Sequence, residues 1–283
     1  MDDWITDNPI PLGRWIAGFM GWFNSFAAGF LNAASDLLED GIDAMIDGLL
    51  WVHPFVLIAL FALVALVVHR DWKLPLAIIL SLLLVVNLGY WEETIQTLSL
   101  VLIATSLCMA VGIPVGILAA HKPVVYTVLR PILDLMQTIP TFVYLIPTLI
   151  LFGLGVVPGI ISTVIFAIPA PVRLTYLGIS SVPKPLIEAG QAFGADRHQL
   201  LWKVELPHAL PTIMAGLTQC IMLSLSMVVI AALVGADGLG KPVVRALNTV
   251  NIAQGFEAGL AIVILAILLD RFFKQPTRPG SDR

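Results

Sequence analysis

Residues 188–207 read EAGQAFGADRHQLLWKVELP, a polar stretch between two long hydrophobic runs of the chain. The run LIEAGQAF is competent to form a helix and ends at Gly194, the residue type that best tolerates a tight turn. A second helical run, 196–206, begins at Asp196, a favourable N-cap residue, and is predicted to stop at Pro207. The sequence therefore predicts two short helices joined by a glycine turn, which together project from the membrane as a compact unit.

The rest of the chain has the composition of a multi-pass membrane protein. Of its 283 residues, 58% are hydrophobic and 12% are charged, whereas a soluble domain has about 25% charged residues. A helix needs about 20 apolar residues to cross a bilayer. This criterion predicts an all-α integral membrane protein with seven spans, at 51–68, 75–91, 97–120, 130–152, 156–177, 208–233 and 255–273.

The N-terminal residues 1–50 form a separate acidic region. They contain eight acidic side chains and one basic side chain, so their net charge is −7, whereas the whole chain has −4. Aromatic residues recur at helical spacing in 12–34, which indicates either a helix lying in the membrane interface or a spanning helix. The acidic flank at 36–47 favours the interfacial helix. The expected organisation is this tail, two peripheral spans in 51–91, a five-helix core in 92–273 that includes the loop 183–207, and a short tail at 274–283.

The distribution of lysine and arginine predicts the orientation of the spans, because cytoplasmic loops carry an excess of these residues. With the N-terminus outside and the C-terminus in the cytoplasm, three of the 15 basic residues, Arg14, Lys241 and Arg245, lie outside and the other twelve lie inside. The polar stretch 188–207 then lies on the cytoplasmic side of the inner membrane, and the acidic tail lies outside.

Seven residues of the polar stretch are spaced like a known sequence motif: Glu188, Ala189, Gly190, Gly194, Val204, Leu206 and Pro207. The set resembles the EAA motif of permease subunits of binding-protein-dependent ABC importers, with Gly190 replacing the second alanine and Val204 replacing isoleucine. The resemblance implies the type I ABC importer permease fold, in which these residues form coupling helices that fit a groove of a separate ATPase subunit. An ordinary cytoplasmic loop is the alternative.

Three further stretches resemble the permeases of quaternary-amine importers: DLMQTIPTFVYLIP (134–147), VGADGLG (234–240) and ALNTVNIAQGFEAGLAIVILAILLDR (246–271). The resemblance covers about residues 50–273. It implies a non-catalytic pore subunit for glycine betaine, proline betaine, choline or trimethylamine N-oxide. It also implies an ATP-binding subunit that carries ATP and Mg²⁺, an external solute-binding protein and a second copy of this chain.

A self-sufficient secondary transporter of the same solutes is the alternative from another class. Such a protein binds its coupling ion within the membrane, and Asp134 is the candidate ligand for that ion. An importer and a secondary transporter therefore differ in whether a separate ATPase drives uptake.

Candidates for the translocation path lie around the proline-rich fourth span: Asp134, Gln137, Pro140, Phe142 and Tyr144. Aromatic faces attract a trimethylammonium group, which makes no conventional hydrogen bond, and polar groups inside a membrane are often functional. Packing is the alternative for Phe142 and Tyr144, and an ion pair with Arg130, one helical turn away, is the alternative for Asp134. Glu257 either caps the seventh span or contacts the solute-binding protein.

Other chemistry is disfavoured by the sequence. Residues 235–241, GADGLGK, match a phosphate-binding loop up to Lys241, but Pro242 stands where serine or threonine must reach Mg²⁺; a turn at a helix end fits better.

Cys108 and Cys220 lie in apolar runs and are expected to be buried, and the five histidines lack metal-ligand spacing. HExxH and GxSxG motifs are absent from the sequence, as is a basic patch interleaved with aromatics, so neither an enzyme nor a nucleic-acid-binding protein is expected.

Overall fold

The computed structural model describes residues 11–69 and 71–274, and every regular element in these ranges is helical. The all-α class is therefore confirmed. The first helices are α1 (Leu12–Trp51), α2 (Pro54–His69), α3 (Lys73–Asn87), α4 (Trp91–His121), α5 (Pro123–Thr138), α6 (Thr141–Phe152) and α7 (Val156–Ala167). They are followed by α8 (Pro169–Ser180), α9 (Lys184–Ala192), α10 (Arg197–Leu200), a π-helical segment (Leu201–Glu205), α11 (Leu206–Ala232), α12 (Gly240–Thr249) and α13 (Ile252–Phe273).

Each of the seven predicted spans contains an apolar helix. By length and composition, four stretches can cross a membrane alone: Trp91–His121, Val156–Ser180, Arg197–Ala232 and Ile252–Phe273. Two bent pairs, α1 with α2 and α5 with α6, qualify when each pair counts as one span. The remaining segment, α3, has 15 residues and is about 22 Å long, which is shorter than the roughly 30 Å bilayer core.

The fourth predicted span is not one helix. Between α5 and α6 the axis bends by 98°, so the proline-rich span predicted over 130–152 is a bent pair of helices. The break lies at Ile139, whose ψ of 130° is extended. Ile139 precedes Pro140, and a proline ring disfavours the α conformation of the residue before it. The kink therefore has a local cause in the sequence.

Helix α1 is longer than the sequence predicts. It runs without interruption for 40 residues and passes through the acidic flank, so the predicted end at residue 34 is wrong. The five acids of this flank are exposed, whereas Ile42 is 1% exposed and belongs to the main hydrophobic core. The acidic face thus remains accessible, while Ile42 and the partly buried Ile46 hold this part of the helix to the core.

Glycines allow α8 to lie in close contact with both α4 and α11. A Cβ atom at Gly112 would lie 2.9 Å from Cβ of Pro171, and one at Gly116 would lie 2.6 Å from Cβ of Thr175. From the other side, a Cβ at Gly216 would lie 3.3 Å from Cα of Pro171. Small residues at four-residue spacing permit this approach of helices in membranes. Because α8 leads into the loop 183–207, the loop is attached to the centre of the helical core.

Candidate coupling site and translocation path

The loop 183–207 forms two helices joined by the predicted glycine turn. Two residues after the end of α9, Gly194 has a φ of +79°. Here the N–H of Ala195 donates to the carbonyl of Gly190, and the N–H of Gly194 donates to the carbonyl of Gln191. These two bonds define a Schellman C-cap, for which a left-handed glycine is favoured. The glycine turn predicted from the sequence is confirmed.

The second helix of the loop begins with a capping box. The N–H of Gln199 donates to Oδ1 of Asp196 at 2.7 Å, and the N–H of Asp196 donates to Oε1 of Gln199 at 3.1 Å. Each side chain thereby satisfies a backbone donor that the helix end leaves free. Asp196 is the N-cap, as predicted.

Gly190 lies where the two helices of the loop touch. A Cβ atom there would be 2.6 Å from Cδ2 of Leu200 and 3.6 Å from Cγ2 of Val204. Leu200 is buried, so the contact fixes the angle between α9 and the following helix. The departure from the EAA motif at this position therefore has a packing reason.

The predicted stop at Pro207 is wrong, because the helix continues into α11. A π-helical segment, Leu201–Glu205, joins α10 to α11, and the N–H of Leu206 donates to the carbonyl of Leu201. Pro207 lies in the first turn of α11, where a residue without an N–H is tolerated. Residues 197–232 thus form one continuous helical rod from the loop into the membrane span.

A buried carboxylate connects this rod to α4. Oε2 of Glu205 lies 2.8 Å from Nε2 of His121, and the Glu205 side chain is 9% exposed. His121 is in the last turn of α4, where a positive charge is favoured by the helix dipole. The pair therefore joins the wide π-helical turn to the C-terminal end of α4.

The same loop presents apolar side chains that this chain leaves uncovered. Phe193 is 94% exposed and Trp202 is 59% exposed, and none of the residues of α9 is buried. Large exposed apolar residues on an otherwise polar loop are typical of a protein contact surface. We call Phe193, Trp202 and the exposed Leu186 the loop tip.

Asp134 and Gln137 both accept hydrogen bonds from one basic residue of another helix. Nη2 of Arg173 donates to Oδ1 of Asp134 at 2.6 Å, and Nη1 donates to Oε1 of Gln137 at 2.8 Å. The predicted Asp134–Arg130 pair is therefore wrong. Arg173 lies on α8, so this cluster joins the broken span α5–α6 to the helix that leads into the loop. A basic residue in an otherwise apolar predicted span was the available signal.

The two aromatic candidates for the translocation path, Tyr144 and Phe142, differ in their exposure. The Tyr144 hydroxyl donates to the carbonyl of Met136 at 2.6 Å across the helix break, and Tyr144 is 8% exposed. Phe142 is 58% exposed, and Pro140 is also exposed at the break. Tyr144 thus stabilises the bend, whereas Phe142 is free to contact another molecule.

Three other expectations concern residues away from the loop. Asn251, not Glu257, caps α13, because its side chain accepts from the N–H of Gln254; the capping role considered for Glu257 is wrong. Cys108 and Cys220 are both buried and free, as predicted. The glycine-rich turn 235–239 packs on α4, where the N–H of Leu239 donates to Oγ1 of Thr97 at 2.8 Å.

Residues 112–274 match the family described as the inner membrane component of binding-protein-dependent transport systems. The chain belongs to this family. It is therefore a multi-pass permease component of the inner membrane, and a self-sufficient secondary transporter is set aside.

Three relatives show which kinds of permease have sequences similar to this chain. The glycine betaine transport system permease protein OpuAB of Bacillus subtilis (strain 168) is 45% identical over 93% of both chains. The glycine betaine/proline betaine transport system permease protein ProW of Escherichia coli (strain K12) is 39% identical over 99% of this chain and 84% of its own. The trimethylamine N-oxide transport system permease protein TmoV of Ruegeria pomeroyi (strain ATCC 700808 / DSM 15171 / DSS-3) is 35% identical over 86% of this chain and 39% of its own.

A solved structure is similar in fold. A chain of the MetNI methionine ABC transporter in an inward-facing conformation aligns with a TM-score of 0.58 and 25% identity, over 65% of this chain and 94% of that chain. The type I ABC importer permease fold expected from the loop 183–207 is thereby confirmed.

Proposed function

We propose that this chain forms the pore of an ATP-driven importer for glycine betaine, proline betaine, choline or trimethylamine N-oxide. The observation that carries the proposal is the loop 183–207, a capped two-helix projection continuous with a membrane span. A loop built in this way transmits movement of a bound partner into the span. Such a partner would supply ATP and Mg²⁺, and this chain would break no bond in the solute.

The loop tip is the proposed contact with the ATP-binding subunit. Its exposed Phe193 and Trp202 are residue types that anchor protein interfaces. A solute-binding protein would dock at the opposite end of the spans, outside the cell. A second copy of this chain would complete the pore, as the expected homodimer. The orientation with the N-terminus outside and the C-terminus in the cytoplasm stays a prediction of the basic-residue distribution.

The proposed solute class rests on the relatives, whose printed names cover glycine betaine, proline betaine and trimethylamine N-oxide. These solutes share a methylated nitrogen that aromatic faces attract. The exposed Phe142, beside the break at Pro140, is the path candidate best placed for such a contact. Asp134 and Gln137 are proposed to act on the translocation path indirectly, by positioning Arg173, because both side chains accept hydrogen bonds from its guanidinium group.

A competition experiment tests the solute class. Cells that lack the gene are compared with restored cells for uptake of labelled glycine betaine, with unlabelled proline betaine, choline and trimethylamine N-oxide as competitors. We expect restoration to bring back uptake and at least one competitor to suppress it. Restored cells that import none of the four solutes, each tested in turn in labelled form, would refute the assignment of the solute class.

Removing the buried carboxylate should weaken coupling. In Glu205→Ala, His121 loses its partner and the π-helical turn loses its connection to α4, so we expect about three- to tenfold less solute imported per ATP hydrolysed. ATP hydrolysis itself should persist. The measurement is the ratio of the two rates in vesicles containing the purified complex.

The matched control is Glu205→Gln, which keeps a side chain of the same shape that can still hydrogen-bond to His121. Glu205→Gln should import nearly as much solute per ATP hydrolysed as the unaltered protein. An unchanged ratio in Glu205→Ala would mean that the pair contributes to stability alone.

A further inference from the structure

A polar cleft lies at the end of α4 opposite the loop 183–207. Helix α4 begins at this cleft and ends at His121, beside Glu205 of the loop, 31 residues later. At 1.5 Å per residue the two ends are about 46 Å apart, which is more than the hydrocarbon core of a bilayer. The cleft and the loop therefore open on opposite sides of the membrane.

The size of the cleft suits a small solute. Its volume is about 360 Å³, within the range of roughly 300–1,000 Å³ of small-molecule sites. The start of α4, the glycine-rich turn, α12 and the start of α13 enclose it, through residues that include Tyr90, Glu93, Asp237, Lys241, Arg245 and Gln254. The hydrogen bond from Leu239 to Thr97 holds the glycine-rich turn, one wall of the cleft, on α4.

One side of the cleft combines an aromatic ring with carboxylates. Tyr90 lies in the connection before α4, and burial, then the charges of Glu257 and Glu93, raise the pKa of its hydroxyl. The ring therefore stays neutral and sits in a negative field. Glu92 adds a further carboxylate in the first turn of α4. An aromatic face with nearby carboxylates attracts a cation that cannot donate a hydrogen bond, such as a trimethylammonium group.

The other side of the cleft carries positive charge. Lys241 and Arg245 lie one turn apart on α12, and Lys241 forms an ion pair with Asp237. Arg245 has no ion-pair partner among residues 11–69 and 71–274, and it is exposed to the cleft. A free guanidinium group is suited to bind a carboxylate with two parallel hydrogen bonds.

We propose that this cleft binds a zwitterion, with its quaternary ammonium group at Tyr90 and Glu93 and its carboxylate at Arg245. This inference rests on the proposed function and adds a solute site on the outer side of the permease itself. The solute would be received in the cleft before it enters the spans. A betaine fits both sides of the cleft, whereas choline, which has no carboxylate, fits only the side of Tyr90.

The difference between these two solutes provides the test. The complete complex of this chain and its ATP-binding subunit is placed in lipid nanodiscs without solute-binding protein. Saturation-transfer NMR of the methyl protons then measures the binding of glycine betaine and of choline. Arg245→Gln should weaken glycine betaine binding at least about tenfold and leave choline binding unchanged. Arg14→Gln, which replaces an exposed arginine on α1, should affect neither solute.

Substitutions of Tyr90 test the aromatic side. Tyr90→Leu should weaken the binding of both solutes about five- to tenfold, whereas Tyr90→Phe, which keeps the ring and the fold, should bind both as the unaltered protein does. Equal binding of both solutes in every variant, or no binding to the unaltered complex, would overturn the proposal. So would a loss of docking of the solute-binding protein in Arg245→Gln while solute binding persists, because the cleft would then serve the protein partner.

The proposed function and the proposed cleft site can be refuted independently of each other. If vesicles with the solute-binding protein import glycine betaine with ATP while the cleft binds no solute, the importer stands and the cleft site is wrong. If the complex imports no methylated amine under any condition, the solute class itself is wrong.

Discussion

Replacing Gly116 with leucine should leave almost no folded protein in the membrane. The backbone of α4 at Gly116 contacts α8 directly, since a Cβ atom there would lie 2.6 Å from Cβ of Thr175 and 2.8 Å from the carbonyl oxygen of Val172. Helix α8 is also in contact with α11 on its other side, so it has no room to move away. Overpacking a site enclosed on both sides costs about 3 kcal/mol or more.

The measurement for Gly116→Leu is the amount of monodisperse protein extracted from membranes, together with its unfolding temperature. The matched control is Gly259→Leu on α13, another helical glycine in a membrane span, where a Cβ atom would meet nothing within 4 Å. We expect the control to be extracted in normal amounts. Normal folding of Gly116→Leu would contradict the packing of α4 on α8.

Replacing Gly194 with valine should separate ATP hydrolysis from transport. Gly194 has a φ of +79°, and left-handed backbone costs an ordinary side chain about 1–2 kcal/mol, with branched residues the least tolerant. Space does not limit the substitution, because a Cβ atom at Gly194 meets nothing within 4 Å. The valine therefore acts only on the turn between α9 and α10, and we expect at least about a tenfold loss of solute imported per ATP.

Asparagine at the same position is the matched control, because it is the side chain that most readily accepts left-handed backbone. Gly194→Asn should transport at close to the normal rate, and both variants should reach the membrane. If Gly194→Val transports normally, the turn is not part of the coupling element. If both variants fail alike, the cause lies in an added side chain and not in the backbone conformation.

The features that were predicted from sequence are those with local causes. Asp196 caps a helix through a residue three positions away, and Gly194 closes a turn within six residues. In each case the deciding interaction lies within a few positions of the chain.

The features that were missed depend on distant contacts. Arg173 binds Asp134 across 39 residues and Glu205 meets His121 across 84, and no local pattern selects these partners over Arg130 or solvent. Pro207 was predicted to end a helix because the wider π-helical turn before it has no sequence signature. The continuation of α1 to Trp51 depends on Ile42 packing into the core, which the acidic composition around it conceals.

Coupling of ATP hydrolysis to transport through the loop 183–207 is tested by measuring uptake of glycine betaine and hydrolysis of ATP in the same vesicles. The vesicles contain this chain with its ATP-binding subunit, and the loaded solute-binding protein is added outside. Our account predicts uptake that requires ATP inside, that persists when ion gradients are collapsed, and that falls in Gly194→Val but not in Gly194→Asn. Uptake driven by an ion gradient without ATP, or ATP-driven uptake unaffected by Gly194→Val, would contradict it.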